Sequence, residues 1–235
     1  MPAIRAVLFD FFGTLTQAIQ RGPRHDRIAR ALGCDPSTMR TTLDRSFRER
    51  ASGARGDAVT SLRWLCSEQG VRPAAARLRR AAAARIGAVA ADTRLRPDAL
   101  PTLLALRSGG LRTAVVSDCG HELPAFLPSL PIARLLDAGI FSVEVGCCKP
   151  DPEMYLTACR RLGVRPQECL YVGDGGSREL TGAAAVGMRA VRLTAPDLAG
   201  HLVFDADEQF DGPSVNALSE VLPMASGAAR LPAPA

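Results

Sequence analysis

Four separated stretches of the chain place reactive side chains at or just beyond the ends of apolar runs. In IRAVLFDFFGTL (residues 4–15), Asp10 closes the run, and Gly13 with Thr14 supplies the permissive backbone of a sharp exit. In LRTAVVSD, Ser117 closes the run and Asp118 follows it. In CLYVGDGGSRE, Gly173 and Asp174 end the run and Glu179 comes five residues later, while in CCKPDPE, Lys149 stands before Pro150 and a helix start. Alone, an Asp after an apolar run reads as a turn or helix cap. Together the set supports sharper chemistry. A carboxylate such as Asp10 can attack phosphorus and form an aspartyl-phosphate. Asp10 and Asp174 are hard oxygen donors suited to Mg²⁺, which offsets the charge of a transferring phosphoryl group. Lys149 is the one lysine among 29 Lys plus Arg residues, which points to a need for a compact ammonium; the other reading is a lysine at an exposed turn.

Positioning these groups takes strands that end at a common edge. Residues 4–9, 111–116, 140–145, 169–172 and 190–193 are apolar and short, and helical stretches separate the later ones: 97–106, 120–127, 152–163 and 179–187. Strands alternating with helices of this length argue an α/β fold, a Rossmann-like parallel sheet covered by helices on both faces. Open sheets of this kind build their sites beyond the carboxyl ends of the strands. Residues 16–95 break the pattern. Ala and Arg dominate there, no β-branched run occurs, and Leu32, Met39, Leu43, Phe47, Leu62, Leu65, Leu78 and Ile86 recur at helical spacing. This stretch reads as an inserted helical cap, with residues 1–15 plus 96–222 forming the core and residues 223–235 a disordered Pro/Ala-rich tail.

At 235 residues and 47% hydrophobic, the chain is long enough to bury a full core. The sequence offers no leader and no apolar run long enough to span a bilayer, so a cytoplasmic protein without membrane partners is expected. Seven cysteines without a CxxC spacing, and three histidines, argue against a disulfide scaffold or zinc finger. The net charge of +5 is uneven: between Thr16 and Leu95, sixteen arginines face seven acids, so that segment carries +9 and the remainder −4. Only Phe47 and Trp64 accompany those arginines, so nucleic acid is not the expected partner. A solvated helical surface is the plain reading, and attraction of a small anionic substrate the functional one. Arg21, Arg24 and Arg55 are the candidates for reaching it.

The four stretches resemble the motifs of the haloacid dehalogenase-like hydrolases, and the resemblance covers nearly the whole chain. DFFGTL is similar to that family's Asp-x-Asp-Gly-Thr, Ser117 to its strand-closing Ser or Thr, Lys149 in KPDP to its lysine, and GDGGSRE to its Gly-Asp followed by a second acid. Residues 16–95 correspond to its helical cap. The resemblance implies Asp10 as nucleophile, with Mg²⁺ held by Asp10, Asp174 and the Phe12 carbonyl and supported by Glu179. It implies that Lys149 orients Asp10, and that Ser117 with backbone groups near Gly13, Thr14 and Asp118 binds a phosphorylated substrate. A monomer or homodimer is expected.

The departure is Phe12. Phosphatases of the family carry a second Asp there as general acid and base, and loss of such a group costs on the order of 10² to 10⁴ in rate. Asp118 and His121 are the nearest substitutes by sequence. Three readings follow: a Mg²⁺-dependent phosphohydrolase or phosphotransferase favouring a good leaving group or a substitute acid; a metal-independent 2-haloacid dehalogenase-type hydrolase; or a catalytically impaired member that binds a ligand or partner. Asp174 and Glu179 favour the first. The cap lysine that a phosphonate-cleaving relative would need is missing.

Overall fold

A computed structural model describes residues 2–199 and 204–226. In chain order the elements are β1 (Ala6–Phe9), α1 (Pro23–Leu32), α2 (Pro36–Arg45), α3 (Phe47–Ala51), α4 (Ala58–Ser67), α5 (Ala75–Asp92), α6 (Ala99–Ser108) and β2 (Arg112–Ser117). There follow α7 (Glu122–Phe126), β3 (Ala138–Phe141), α8 (Ser142–Val145), α9 (Pro152–Leu162), β4 (Cys169–Gly173), α10 (Glu179–Ala185), β5 (Arg189–Leu193), β6 (Ser214–Val215) and α11 (Val221–Ala225). The sheet runs β3-β2-β1-β4-β5-β6 and every pairing is parallel. Phe9 pairs with Val115 on one side and Val172 on the other, which brings Asp10, Ser117 and Asp174 to the same edge.

The alternation of side chains along the strands builds two buried layers. Val7, Phe9, Val115, Leu170, Val172 and Val191 pack with Leu103 and Leu106 of α6, Leu123 and Phe126 of α7, and Val221 and Ala225 of α11. Ala6, Leu8, Ala114, Val116 and Tyr171 face the other way, against Met154, Tyr155, Ala158 and Leu162 of α9 and Leu180 and Ala183 of α10. Both faces are therefore covered, as parallel sheets require. α9 shows why these stretches become helices. Asp151 accepts from the Glu153 N–H at 2.9 Å, Pro152 opens the first turn, and Gly163 ends the helix at φ 62°. Its apolar residues recur on one face, and burying each large one contributes about 1.5–3 kcal/mol.

The insertion between β1 and α6 is helical and has its own apolar cluster, in which Leu32, Met39, Leu43, Leu62, Leu65, Cys66 and Leu78 are buried. It joins the core through a clasp. Thr16 and Leu95 form an antiparallel bridge, the Gln17 N–H donates to the Arg94 carbonyl at 2.8 Å, and the Arg96 N–H to the Leu15 carbonyl at 3.0 Å.

Two local expectations change, and one further strand is present. The stretch at 140–145 is strand only as far as Phe141; Ser142–Val145 turns into a short helix because the Ser142 hydroxyl is drawn to the Cys119 N–H at 2.9 Å and Gly146 closes the turn at φ 90°. Pro223 is not in a frayed tail but in α11, whose Val221 and Ala225 are buried against α6 and the sheet; of the expected tail, residues 227–235 lie outside the described residues. The two-residue β6 is too short to carry a periodic signal. All seven cysteines are free thiols, six of them buried. Among the described residues, no helix is long and apolar enough to cross a membrane.

Candidate active site

Asp10 leaves β1 still in extended conformation, its N–H tied to the Val172 carbonyl at 2.9 Å, and the chain then swings through a turn at Phe11–Leu15. Gly13 makes that turn possible, since its φ of 84° is the left-handed region that side chains resist. The turn is gripped from behind by Arg96, which donates to the carbonyls of Thr14 at 2.8 Å and Gly13 at 2.7 Å and pairs with Asp197 at 2.6 Å. Sequence reading missed Arg96. A lone Arg after a cap gives no signal of what it will hold.

Lys149 enters the site from the loop before α9 and is 3% exposed. Its ammonium donates to Asp10 Oδ1 at 2.7 Å, Glu179 Oε2 at 2.5 Å and the Tyr171 hydroxyl at 3.3 Å. Glu179 is fully buried and both its oxygens are used, Oε1 by the Gly175 N–H at 3.0 Å and Oε2 by Lys149 and the Tyr171 hydroxyl at 2.8 Å. Glu179 thus positions Lys149 and the Gly175 loop. Tyr171 was hidden in the apolar run CLYV; only its hydroxyl, which needs a partner once buried, marked it. Asp174 lies half-buried beyond β4 and accepts from the Gly176 N–H at 3.0 Å.

One oxygen from each of Asp10, Asp174 and Glu179 lies within 4.8 Å of the others. Asp10 and Glu179 share one ammonium, and Asp174 adds a third carboxylate beside them. Burial, reinforced by Asp174, pushes Asp10 up to about 6 despite Lys149. Burial also pushes Glu179 up to about 7. For Lys149, burial acts to lower the value, but Asp10 and Glu179 outweigh it and hold the ammonium well above its ordinary range. A clustered, all-oxygen, electron-rich donor set of this kind fits a hard divalent cation such as Mg²⁺.

Above these groups is a cavity of about 460 Å³ bounded by both the core and the helical insertion. Asp10, Phe12, Asp118, Lys149, Asp174 and Glu179 line it from the core. Gly13, Thr14 and Ser117 do not; the hydroxyls of Thr14 and Ser117 are buried just behind and have no hydrogen-bond partner among the described residues. An unpaired buried hydroxyl costs about 1–3 kcal/mol. Asp118 accepts from the Lys149 N–H at 3.0 Å, and burial raises its carboxyl above the ordinary range. His121, the other substitute named by sequence proximity, is turned away: its ring faces the Gly56 carbonyl at 3.0 Å and lines a separate small pocket.

Of the three cap arginines singled out by sequence, only Arg21 lines the cavity. Arg24 is exposed in an outer groove with Arg27, Arg77 and Arg80, because it lies on the solvent side of α1. Arg55 is held by Glu49 and stacks 3.9 Å from the Trp64 ring centroid. Arg40, Arg50 and Arg85 line the cavity instead. Their positions follow from helix packing, which one-dimensional spacing did not resolve.

The haloacid dehalogenase-like hydrolase family profile matches residues 4–187. The chain is similar to the glyceraldehyde 3-phosphate phosphatase of Methanopyrus kandleri, 39% identical over 98 residues, which are 41% of this chain and 42% of that protein. It is also similar to (S)-2-haloacid dehalogenase 4A of Burkholderia cepacia, 34% identical over 129 residues, 54% of each chain. The chain thus spans about half the length, or less, of these curated relatives. Among solved structures, that of a dehalogenase superposes with a TM-score of 0.64 at 25% identity, covering 96% of this chain and 99% of that one.

Proposed function

Because the chain belongs to the haloacid dehalogenase-like hydrolases, we propose that this hydrolase is a Mg²⁺-dependent phosphohydrolase or phosphotransferase that works through an aspartyl-phosphate on Asp10. The observation that carries the reading is the carboxylate cluster of Asp10, Asp174 and Glu179, whose oxygens lie within 4.8 Å of one another beside one ammonium. Lys149 is the ammonium that pairs with both Asp10 and Glu179, and a divalent cation would offset the charge of the third carboxylate.

Asp10 and Asp174 would hold the cation directly, with the Phe12 carbonyl following by resemblance and Glu179 acting through Lys149 and the Gly175 loop. When bound, Mg²⁺ supplies positive charge for the phosphoryl oxygens. The chain's own residues do the rest. Lys149 keeps Asp10 ionised and oriented. Asp10 attacks phosphorus, the bond to the leaving oxygen breaks, and water later hydrolyses the acyl phosphate. The Ser117 hydroxyl, buried and unpartnered among the described residues, would by resemblance donate to a phosphoryl oxygen. Phe12 supplies no proton, so substrates with good leaving groups are favoured. Asp118 is the acid that lines the cavity from the strand end beside Ser117, and it is the substitute we assign.

A second reading has one observation behind it. Phe12 leaves the position of the missing acid apolar, as displacement of a halide requires no proton donor. Relatives named as dehalogenases and as phosphatases both match parts of the chain. Phosphate release from acyl and aryl phosphates, measured with Mg²⁺ and with EDTA beside halide release from 2-haloacids, separates the two. Phosphate release lost in EDTA supports the proposal; halide release that persists in EDTA overturns it.

A further inference from the structure

The outer face of the helical insertion carries a second concavity, which shares no lining residue with the cavity over Asp10. It is a groove of about 460 Å³ between α1 and α5, walled by Arg24 and Arg27 of the first helix and Arg77 and Arg80 of the second. On each helix the two arginines are three residues apart, so they share a face. The floor between them is apolar: Ile28, Ala31 and Leu32 come from α1, Ala81 and Ala84 from α5. The small alanine side chains leave the space between the four guanidinium groups open. Both helices also reach the active-site cavity, through His25 and Arg85, so the groove lies on another face of the same pair.

No acid balances these four side chains. The two helices hold one carboxylate each, Asp26 and Asp92, and Arg40 and His25 engage them at 2.8 and 2.9 Å. Elsewhere on the insertion, Arg21, Arg45 and Arg55 have carboxylate partners in Asp44, Glu68 and Glu49. Among the described residues, Arg24, Arg27, Arg77 and Arg80 have no ion pair and no side-chain hydrogen bond. Like-charged neighbours one helical turn apart work against a helix rather than for it. Here two such pairs are gathered around one depression and offer guanidinium forks to a single occupant from both sides. The planar fork matches phosphate oxygens two at a time. The groove presents no aromatic ring on which bases could stack, which argues against a nucleic-acid strand and for a short chain of phosphates.

We infer that the groove between α1 and α5 is a binding site for a small oligophosphate, an inorganic chain or the phosphate tail of a nucleotide, separate from the reacting site. The inference is independent of the reaction that Asp10 performs. Calorimetric titrations at physiological salt in EDTA, which keeps metal from the carboxylate cluster, compare orthophosphate, tripolyphosphate and ATP. Tripolyphosphate is expected to bind saturably, one equivalent per chain, and at least about tenfold more tightly than orthophosphate, the gain from further hydrogen bonds between charged groups. ATP that binds as tightly as tripolyphosphate or more so identifies a nucleotide as the source, and weaker ATP binding identifies the inorganic chain. In the double variant Arg24→Gln/Arg77→Gln, tripolyphosphate affinity falls at least about tenfold. Arg63→Gln/Arg72→Gln removes the same charge from exposed positions elsewhere on the insertion and leaves the affinity within about twofold, because distant surface charges are screened. Absence of saturable binding, a tripolyphosphate to orthophosphate ratio near one, or equal losses in the two double variants overturns the inference. So does full affinity in the groove variant, which would put the anion elsewhere. A DNA duplex that binds more tightly than tripolyphosphate, and loses that binding in the groove variant, overturns the small ligand in favour of nucleic acid. The replaced side chains are exposed, and circular dichroism checks the fold of each variant. Should the groove double variant fail to fold, its two single variants take its place.

Discussion

Replacing Lys149 by Met removes the sole ammonium from a cluster that holds Asp10 at 2.7 Å, Glu179 at 2.5 Å and the Tyr171 hydroxyl at 3.3 Å. Met approximates the length and volume of the lysine stem, so the loss is electrostatic rather than a cavity. Breaking a buried pair by removing one partner costs about 3–5 kcal/mol, and for a chain of this size that lowers Tm by about 6–20 °C. The sign of the pH dependence follows from the carboxyls. Asp10 and Glu179 sit above their ordinary values, at about 6 and about 7, mainly through burial. Each therefore favours the folded state when protonated, and that contribution is lost as pH rises through the folded value. Lys149, held well above its own ordinary range, stays charged throughout. The metal-free wild type should accordingly lose stability between about pH 4 and 7. In Lys149→Met both carboxyls rise further, so the deficit is largest at pH 8 and shrinks toward pH 5. Scanning calorimetry of both proteins at the two pH values measures this. Mg²⁺ should raise the variant's Tm more than the wild type's, because it supplies the missing positive charge. An equal deficit at pH 5 and pH 8 would mean that the cost is packing, and no deficit at pH 8 would refute the account of carboxylates held by the Lys149 charge.

Asp10→Asn should reduce phosphate release to background while leaving the fold intact by circular dichroism; a variant retaining wild-type rates would remove Asp10 as nucleophile. Phe12→Asp should raise kcat on alkyl phosphate monoesters on the order of 10² to 10⁴, the contribution of a restored general acid and base, read by a phosphate assay on glycerol phosphate. No gain would mean that Asp118 already meets the need. Gly173→Ala builds a methyl 2.0 Å from Glu179 Oε1 and must displace that carboxylate, so it should unseat Lys149 and weaken Mg²⁺ binding at least tenfold by calorimetry.

The parallel sheet, the strand-end placement of Asp10, Ser117 and Asp174 and the position of Lys149 before a helix were legible because each rests on local patterns: an apolar run, a glycine and a polar terminus. The helical insertion was legible for the same reason, its composition changing abruptly at residue 16. What could not be read is what arises from packing between distant segments. Arg96 acts through carbonyls more than 80 residues away, and Tyr171 through the orientation of one strand. Whether Arg24, Arg50 or Arg55 meets the cavity depends on rotation of short helices about their axes. Proximity in sequence to Ser117 says nothing of which way the His121 side chain turns after the strand ends.

The clasp where the insertion leaves and rejoins the core has a mechanical consequence. Thr16 and Leu95 are bridged, Leu15 is bonded to Arg96, and Arg96 in turn grips Gly13 and Thr14. Exit and entry are thus stitched together on the inner side of any hinge, so swinging the helices transmits little torque to the turn that carries Asp10. A different helical module with ends as closely spaced as residues 17 and 94 could be grafted onto the same clasp. The reactive turn would keep its shape while the roof over it changed, which separates the evolution of what is recognised from the evolution of how it is cleaved.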